Sequence, residues 1–444
     1  MAGQVDTLEG PVRARPVAAP VELHPPEIEN HGWRVTFAGM GINLALGVLY
    51  SWSIISGGME KEGWGWTQSQ KSLPYSIACL VFCLIMVPAG RMQDRLGPRL
   101  VATIGGLLVG AGMLLASLMG ASQAGYIIGF GVLAGAGIGF GYASATPPAV
   151  KWFPHAKTGL IAGLVVSGFG LASVYVAPLA TWLIGTVGLS MMVMILGLGF
   201  LVVVVVLAQL LKPPPAGFQA VEAAAGPKAR PDAPRAVKED FTPREMLRTW
   251  QFYLLWFMYA CGAGAGLMII SVARKLGKAE AGVIAVVSLA IGNGAGRIIA
   301  GVLSDRLGRK ATLALFFVFQ AVLVMLLSQA GPSSFLGGAA ALAVMAALIG
   351  ANYGANLSLF PSITKDFYGL KNFGVNYGLV FTAWGVGGFM LALLAGKVYD
   401  GAILASMKGS FAFAYYCSAA LLVAAAAATF LVRTPHHKAL PSRA

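Results

Sequence analysis

Long apolar stretches, each about 20 residues and broken off by a short polar segment, recur along the whole chain. A helix needs about 20 apolar residues to cross the hydrocarbon core of a bilayer. The pattern predicts twelve such spans, at about 33–56, 70–90, 100–120, 124–149, 158–184, 188–211, 249–272, 280–302, 311–330, 335–360, 372–395 and 409–432. The expected fold class is therefore an all-α polytopic membrane protein with 12 transmembrane helices. A hydrophilic stretch rich in Pro and in both charge signs, 212–248, divides them six and six. The expected organisation is an N-terminal tail at 1–32, a six-helix bundle at 33–211, a linker at 212–248, a second bundle at 249–432 and a C-terminal tail at 433–444. Residues 1–32 are polar and carry no apolar h-region, so they read as a tail and not as a cleavable signal peptide.

Composition agrees with the pattern, with 57% hydrophobic and only 11% charged residues against roughly 25% charged in soluble domains. The 31 Lys and Arg against 17 Asp and Glu raise the question of nucleic-acid binding, and their placement answers it. With both termini inside, 23 of the cations fall in inner segments, seven in outer ones, and Arg297 lies within a span. That distribution over every inner loop follows the positive-inside rule and predicts a multi-pass protein of the cell membrane with cytoplasmic termini. A nucleic-acid binder gathers its charge on one soluble face instead. Cys79, Cys83, Cys261 and Cys417 all sit in apolar segments without His or carboxylate neighbours, which predicts neither a disulfide framework nor a metal site. No acid–base–nucleophile set lies at membrane depth and no cofactor motif is present, so an enzyme is not expected. The expected functional unit is a monomer in the lipid bilayer.

One segment is duplicated. Gly90-Arg-Met-Gln-Asp94-Arg95-Leu-Gly97-Pro-Arg99 follows span 2, and Gly301-Val-Leu-Ser-Asp305-Arg306-Leu-Gly308-Arg309-Lys310 follows span 8. Both copies read G-x-x-x-D-R-x-G-x-R, each after the second span of its half. The residue types suit a latch: Asp caps or pairs at a helix end, Arg offers a forked donor, and Gly permits a tight turn. The duplicated loop, the twelve spans and the central linker resemble the major facilitator superfamily. That resemblance implies two pseudo-symmetric six-helix bundles, a substrate cavity near the midplane and alternating access by rocking of the halves.

The acidic residues all fall in loops, tails or span ends, and Arg297 is the one cation well inside a span. An intramembrane charge costs at least ~2.5–3.5 kcal/mol on insertion scales and marks a functional site. Without a carboxylate to pair with, Arg297 suits an anionic substrate, above all a planar carboxylate gripped through its fork. Asn293 stands four residues earlier on the same helix face, where its amide can donate to a substrate oxygen or orient the guanidinium. The surrounding Gly292, Gly294, Gly296 and Gly301 lack the Lys-Ser/Thr of a phosphate loop and fit close helix packing. Asn43 and Tyr50 in span 1, Tyr142 in span 4, Tyr353 and Asn356 in span 10 and Trp384 in span 11 lie at similar depths and together suggest a cavity lining.

Several stretches narrow the resemblance: Gly47-Val-Leu-Tyr50-Ser-Trp52-Ser, Lys151-Trp-Phe-Pro-His-Ala-Lys157, Glu245-Met-Leu-Arg-Thr-Trp-Gln-Phe-Tyr-Leu-Leu-Trp256, Gly292-Asn-Gly-Ala-Gly-Arg297, Phe360-Pro-Ser and Asn376-Tyr-Gly378. Together they look like the oxalate/formate antiporter family of organic-anion carriers, which includes prokaryotic homologues of monocarboxylate transporters. The resemblance implies that Arg297 binds the substrate carboxylate, that Tyr50, Tyr142 and Tyr353 are aromatic cavity residues, and that Leu49 and Phe169 form neighbouring wall. It also implies two departures. The oxalate carrier has a span-11 lysine where this chain has Trp384, and a dianion facing one cation leaves a charge unpaired in a low-dielectric site. Eukaryotic monocarboxylate carriers have an Asp where this chain has Asn293, which does not titrate.

The expected function is secondary transport of a small monocarboxylate such as lactate, pyruvate or formate together with a proton. An oxalate/formate-type exchanger or an organic-anion effluxer is the alternative within the fold, and a membrane sensor or enzyme the alternative outside it. If the duplicated loop is a latch, Asp94→Asn and Asp305→Asn should slow turnover far more than they weaken binding. Paired measurements of transport rate and substrate affinity separate the two, and a large loss of affinity at unchanged turnover contradicts the latch.

Overall fold

The computed structural model describes residues 29–153, 157–215, 218, 240–276, 279–330, 334–369 and 372–435. The expected tails at 1–32 and 433–444 and the linker at 212–248 therefore fall largely outside the described residues, as does the side chain of Asp305. Twelve helices among the described residues are long and apolar enough to cross a membrane. Span 1 is Gly32–Lys61, span 2 Gln68–Leu96, span 3 Pro98–Leu118, span 4 Gln123–Val150, span 5 Leu160–Val187 and span 6 Leu189–Ala208. Span 7 is Trp250–Leu276, span 8 Ala281–Ser304, span 9 Arg309–Ser328, span 10 Ala339–Tyr368, span 11 Phe373–Tyr399 and span 12 Ala412–Leu431.

The boundaries differ from the hydropathy reading where local chemistry extends a helix past its apolar stretch. Span 2 runs through the charged Gly90–Arg95 segment to Leu96, because solvent-facing charges do not break the backbone ladder. Span 10 continues through Pro361 to Tyr368, eight residues beyond the apolar edge. Span 2 begins at a capping box, Thr67 accepting from Gln70 N while Gln70 Oε1 accepts from Thr67 N. Thr249 likewise caps span 7, its hydroxyl accepting from Phe252 N. The duplicated loop is repeated at the backbone level: Gly97 has φ 86° and ψ 156°, and Gly308 has φ 85° and ψ 157°. Positive φ is open to Gly at little cost, which accounts for the glycine at the same offset in both copies.

Polarity runs inside-out relative to a soluble protein. In span 8, Asn293 is 0% and Arg297 5% exposed, while Ile298 and Ile299 are 67% and 54% exposed. Aliphatic side chains such as Leu107, Val202, Val206 and Val302 also face outward, where only lipid makes such a surface inexpensive. Inside, glycine lets helices touch backbone to backbone. A Cβ at Gly292 or Gly296 would strike the Ala347 and Ala351 carbonyls of span 10, and one at Gly350 or Gly354 would strike the Leu289 and Asn293 carbonyls of span 8. This reciprocal zipper is the close-packing role expected for the span-8 glycines.

At the end where span 1 begins, His31 lies edge-on to Trp152 at 5.7 Å, and Trp152 Nε1 donates to Lys212 O at 2.7 Å. At the opposite, distal end the first and last six spans are tied by polar contacts. Glu60 accepts from Lys71 of its own half and from Lys275 at 2.8 Å. Lys275 also lies 4.5 Å over the Tyr399 ring. Asp400, just past span 11, caps the start of span 2, accepting from Gln68 N at 2.8 Å, Ser69 N at 2.7 Å and Ser69 Oγ at 2.5 Å. Burial pushes the Asp400 carboxyl up, but these bonds outweigh it and hold it below the usual carboxylate range. Its contribution is thus complete above that range and is lost only as pH falls through the lowered value. Asp400→Ala should widen the distal distance between spin labels at Lys61 and Ala402, whereas moving the parent protein between about pH 5 and 8 should leave it unchanged through this group.

Candidate functional site

Span 8 carries the centre of the site. Its zipper with span 10 fixes the helix, so that Arg297 and Asn293 project away from lipid toward span 5. The guanidinium is held at two points. Nη1 donates to Val166 O of span 5 at 2.6 Å, and Nε donates to Asn293 Oδ1 at 3.3 Å. Arg297 Nη2 and Asn293 Nδ2 are buried and make no hydrogen bond among the described residues. No carboxylate pairs with Arg297 among the described residues. The arginine expected to present its whole fork therefore presents one edge, because a backbone carbonyl and the neighbouring amide oxygen occupy the others.

The aromatic residues assemble around this centre from both halves. Tyr50 lies in a 3₁₀ turn, Gly47–Ser51, that interrupts span 1, with Leu49 fully buried beside it. Its hydroxyl meets that of Tyr353 at 2.5 Å, and Trp384 Nε1 donates to the same Tyr353 oxygen at 2.7 Å. Phe169 receives the Tyr50 ring edge-on at 4.8 Å and the Tyr142 ring at 5.4 Å. The Arg297 charge bears on the Tyr142, Tyr50 and Tyr377 hydroxyls. The structure thus brings together Arg297, Asn293, Tyr50, Leu49, Tyr142, Phe169, Tyr353 and Trp384.

Two other expected residues donate to backbone carbonyls. Asn356 donates to Asn352 O at 3.0 Å and lies against Gly262 of span 7. Asn43 donates to Val165 O at 2.8 Å, joining span 1 to span 5. Hydropathy gave no reason to single out Phe82, Tyr259 or Phe381, since an aromatic in an apolar span reads as core. In the fold Phe82 packs on Tyr142 at 5.3 Å and on Trp384 at 5.0 Å. Phe381 stacks on Trp384 at 5.1 Å, and Tyr259 stacks on Phe360 at 4.1 Å.

Of the expected latch residues, Asp94, Arg95 and Arg306 are exposed, and none of the three forms an ion pair among the described residues. An ion pair at that end joins Arg309 to Asp366, at 3.2 Å within the second half. Among the described residues no cluster of His, Cys, Asp and Glu has metal-binding geometry, and the four cysteines are free thiols.

An apolar-faced helix bundle with a buried cation that no described carboxylate pairs, and with open donors between its halves, has the build of a membrane transporter. The sequence profile of the Major Facilitator Superfamily matches residues 36–275 and 263–444, and the chain belongs to that superfamily. It is 29% identical over 373 residues to the uncharacterized MFS-type transporter YhjX of Escherichia coli (strain K12), covering 82% of this chain and 88% of that protein. It is also 29% identical over 343 residues to the oxalate:formate antiporter of Oxalobacter formigenes, covering 76% and 77% respectively. The fold is similar to the crystal structure of a bacterial homolog of the human lysosomal transporter Spinster, inward-facing and unoccupied. That match has a TM-score of 0.61, 15% identity, and coverage of 91% of this chain and 97% of the other. The protein is a multi-pass membrane transporter, and its relatives are carriers, not enzymes.

Tyr353→Phe leaves both the Tyr50 hydroxyl and Trp384 Nε1 without their partner, and each stranded buried group costs about 1–3 kcal/mol. Tyr50→Phe strands only one group. Thermal unfolding of the purified protein should therefore fall in the order parent, Tyr50→Phe, Tyr353→Phe.

Proposed function

We propose that this chain is a secondary carrier of small monocarboxylates of the lactate, pyruvate and formate type, moving one anion with a proton by alternating access. The observation that carries the reading is the single buried guanidinium, uncompensated by any described carboxylate, with Nη2 and Asn293 Nδ2 left open beside it. One cation neutralises one carboxylate. A second negative charge at this depth has no partner and carries a desolvation penalty of several kcal/mol. The two halves then act as rocking units of six helices, with the cavity residues from both sides closing on the anion. The Oxalobacter relative is named for exchanging oxalate for formate. Formate fits the charge count, and oxalate does not, because the second cation implied for an oxalate carrier is replaced here by Trp384.

Proton coupling rests on how the empty carrier holds its charge. An exchanger needs substrate bound to reorient, whereas a symporter must return empty. Val166 O and Asn293 Oδ1 turn their dipoles on the guanidinium and offset part of its charge when no anion is bound. Asn293 cannot carry the proton, so the proton travels on the substrate carboxylate or on another group. Cytoplasmic termini and a cell-membrane location complete the reading, from the surplus of Lys and Arg at the end of the bundle where span 1 begins.

Uptake into proteoliposomes of labelled lactate, pyruvate, formate and oxalate, with and without a pH gradient, tests the proposal. Monocarboxylates should enter faster with an inward proton gradient and no internal anion. Dependence on internal anion with indifference to pH supports exchange instead, and preference for oxalate refutes the charge argument. Arg297→Ala should insert and fold while losing transport by at least about a hundredfold, in line with the removal of a buried charged hydrogen-bond partner. Transport near the parent rate in that variant removes the anion site from Arg297.

A further inference from the structure

Span 5 meets the Arg297–Asn293 pair along one face. Val166 and Gly170 are one helical turn apart on that face, the first offering its carbonyl to Nη1 and the second offering no side chain at all. A Cβ built on Gly170 would lie 3.2 Å from Arg297 Nη2 and 3.3 Å from both Cγ and Nδ2 of Asn293. Those two nitrogens are the buried donors that have no partner, on side chains only 5% and 0% exposed. Every other polar atom of the pair is engaged: Nη1 by Val166 O, and Nε and Oδ1 by each other.

We propose that Gly170 determines specificity for a carboxylate, its missing side chain being the opening through which the anion reaches Nη2 and Nδ2. This inference rests on the carrier reading above. A carboxylate oxygen sits about 2.7–2.9 Å from a charged donor, in the space a methyl group at position 170 would take. The helix that carries the donors cannot retreat to make room. Gly292 and Gly296 of their helix already lie on the span-10 backbone, and a side chain at Gly354 would strike the carbonyl of Asn293. The anion is thereby held as one head group shared between an arginine edge and an amide, with the first half's helix closing over it. Because the constraint acts on the head group, it applies alike to formate, pyruvate and lactate, whatever their tails.

Gly170→Ala favours the helix backbone and should leave ligand-free thermal stability close to that of the parent. It should weaken lactate, pyruvate and formate by a similar factor of about tenfold or more, read as the loss of ligand-induced thermal shift and a raised KM for uptake. Gly163→Ala and Gly185→Ala, on the same helix where an added Cβ meets nothing within 4 Å, should bind as the parent does. A structure of the unmodified protein with pyruvate gives a check that needs no variant: the carboxylate should contact Arg297 Nη2, Asn293 Nδ2 and the Gly170 backbone together. Parent-like lactate affinity in Gly170→Ala, or pyruvate seated away from that donor pair, overturns the inference. If Arg297→Ala loses binding while Gly170→Ala keeps it, the carrier reading stands and only the role of Gly170 falls. Retention of binding in both variants removes the anion site from Arg297 and with it the charge argument for a monocarboxylate.

Discussion

A single guanidinium buried without a carboxylate sets the terms for the rest of this structure. Placing Arg297 at 5% exposure inside an apolar bundle costs at least ~2.5–3.5 kcal/mol on insertion scales, so its surroundings must answer the charge with dipoles. They do so with a backbone carbonyl from span 5 and an amide oxygen one turn away on span 8. The glycine zipper with span 10 brings that helix into position, and the aromatic shell keeps water from shielding the charge. Two donors make no hydrogen bond with the described residues.

The same charge links the halves. Arg297 belongs to the last six spans and Val166 to the first six, so the contact that tempers the charge also spans the seam. The Tyr50–Tyr353–Trp384 chain crosses the seam as well, as does the bond from Tyr75 to Leu267 O at 3.2 Å. At the distal end Glu60, Lys275 and Asp400 fasten the halves with charged groups, while the duplicated loops lie at the other end with Asp94, Arg95 and Arg306 exposed. Among the described residues, the contacts between the halves thus lie at the distal end and in the middle of the bundle.

Much of this was legible in the chain alone. Hydropathy located all twelve spans, because a helix must satisfy its own backbone in lipid and so needs a continuous apolar run. The repeated Asp-Arg-x-Gly marked equivalent turns, and the folded backbone repeats the same dihedrals at Gly97 and Gly308. Arg297 stood out because charge at that depth is costly, and Asn293 because helical spacing placed it alongside. Phe82 and Phe381 stayed hidden because an aromatic in an apolar run carries no local mark of facing a site. Asn43 and Asn356 carry a polar signal with two meanings, since a buried amide is equally at home donating to backbone carbonyls between and within helices.

What the sequence determined by itself was what one helix can encode: span length, lateral polarity, turn glycines, and the presence of one unmatched intramembrane cation. What only the tertiary structure decided was how neighbouring helices use that cation. The arginine's fork is partly taken by Val166 O, a backbone atom that no residue type announces. Its open edge faces Gly170, a residue with no side chain to mark it in the sequence. Both facts arise from the close approach of spans 5 and 8, which are more than a hundred residues apart. Hydrogen-bond geometry and the space left by an absent methyl group are properties of that approach, and the chain fixes them only once it is folded.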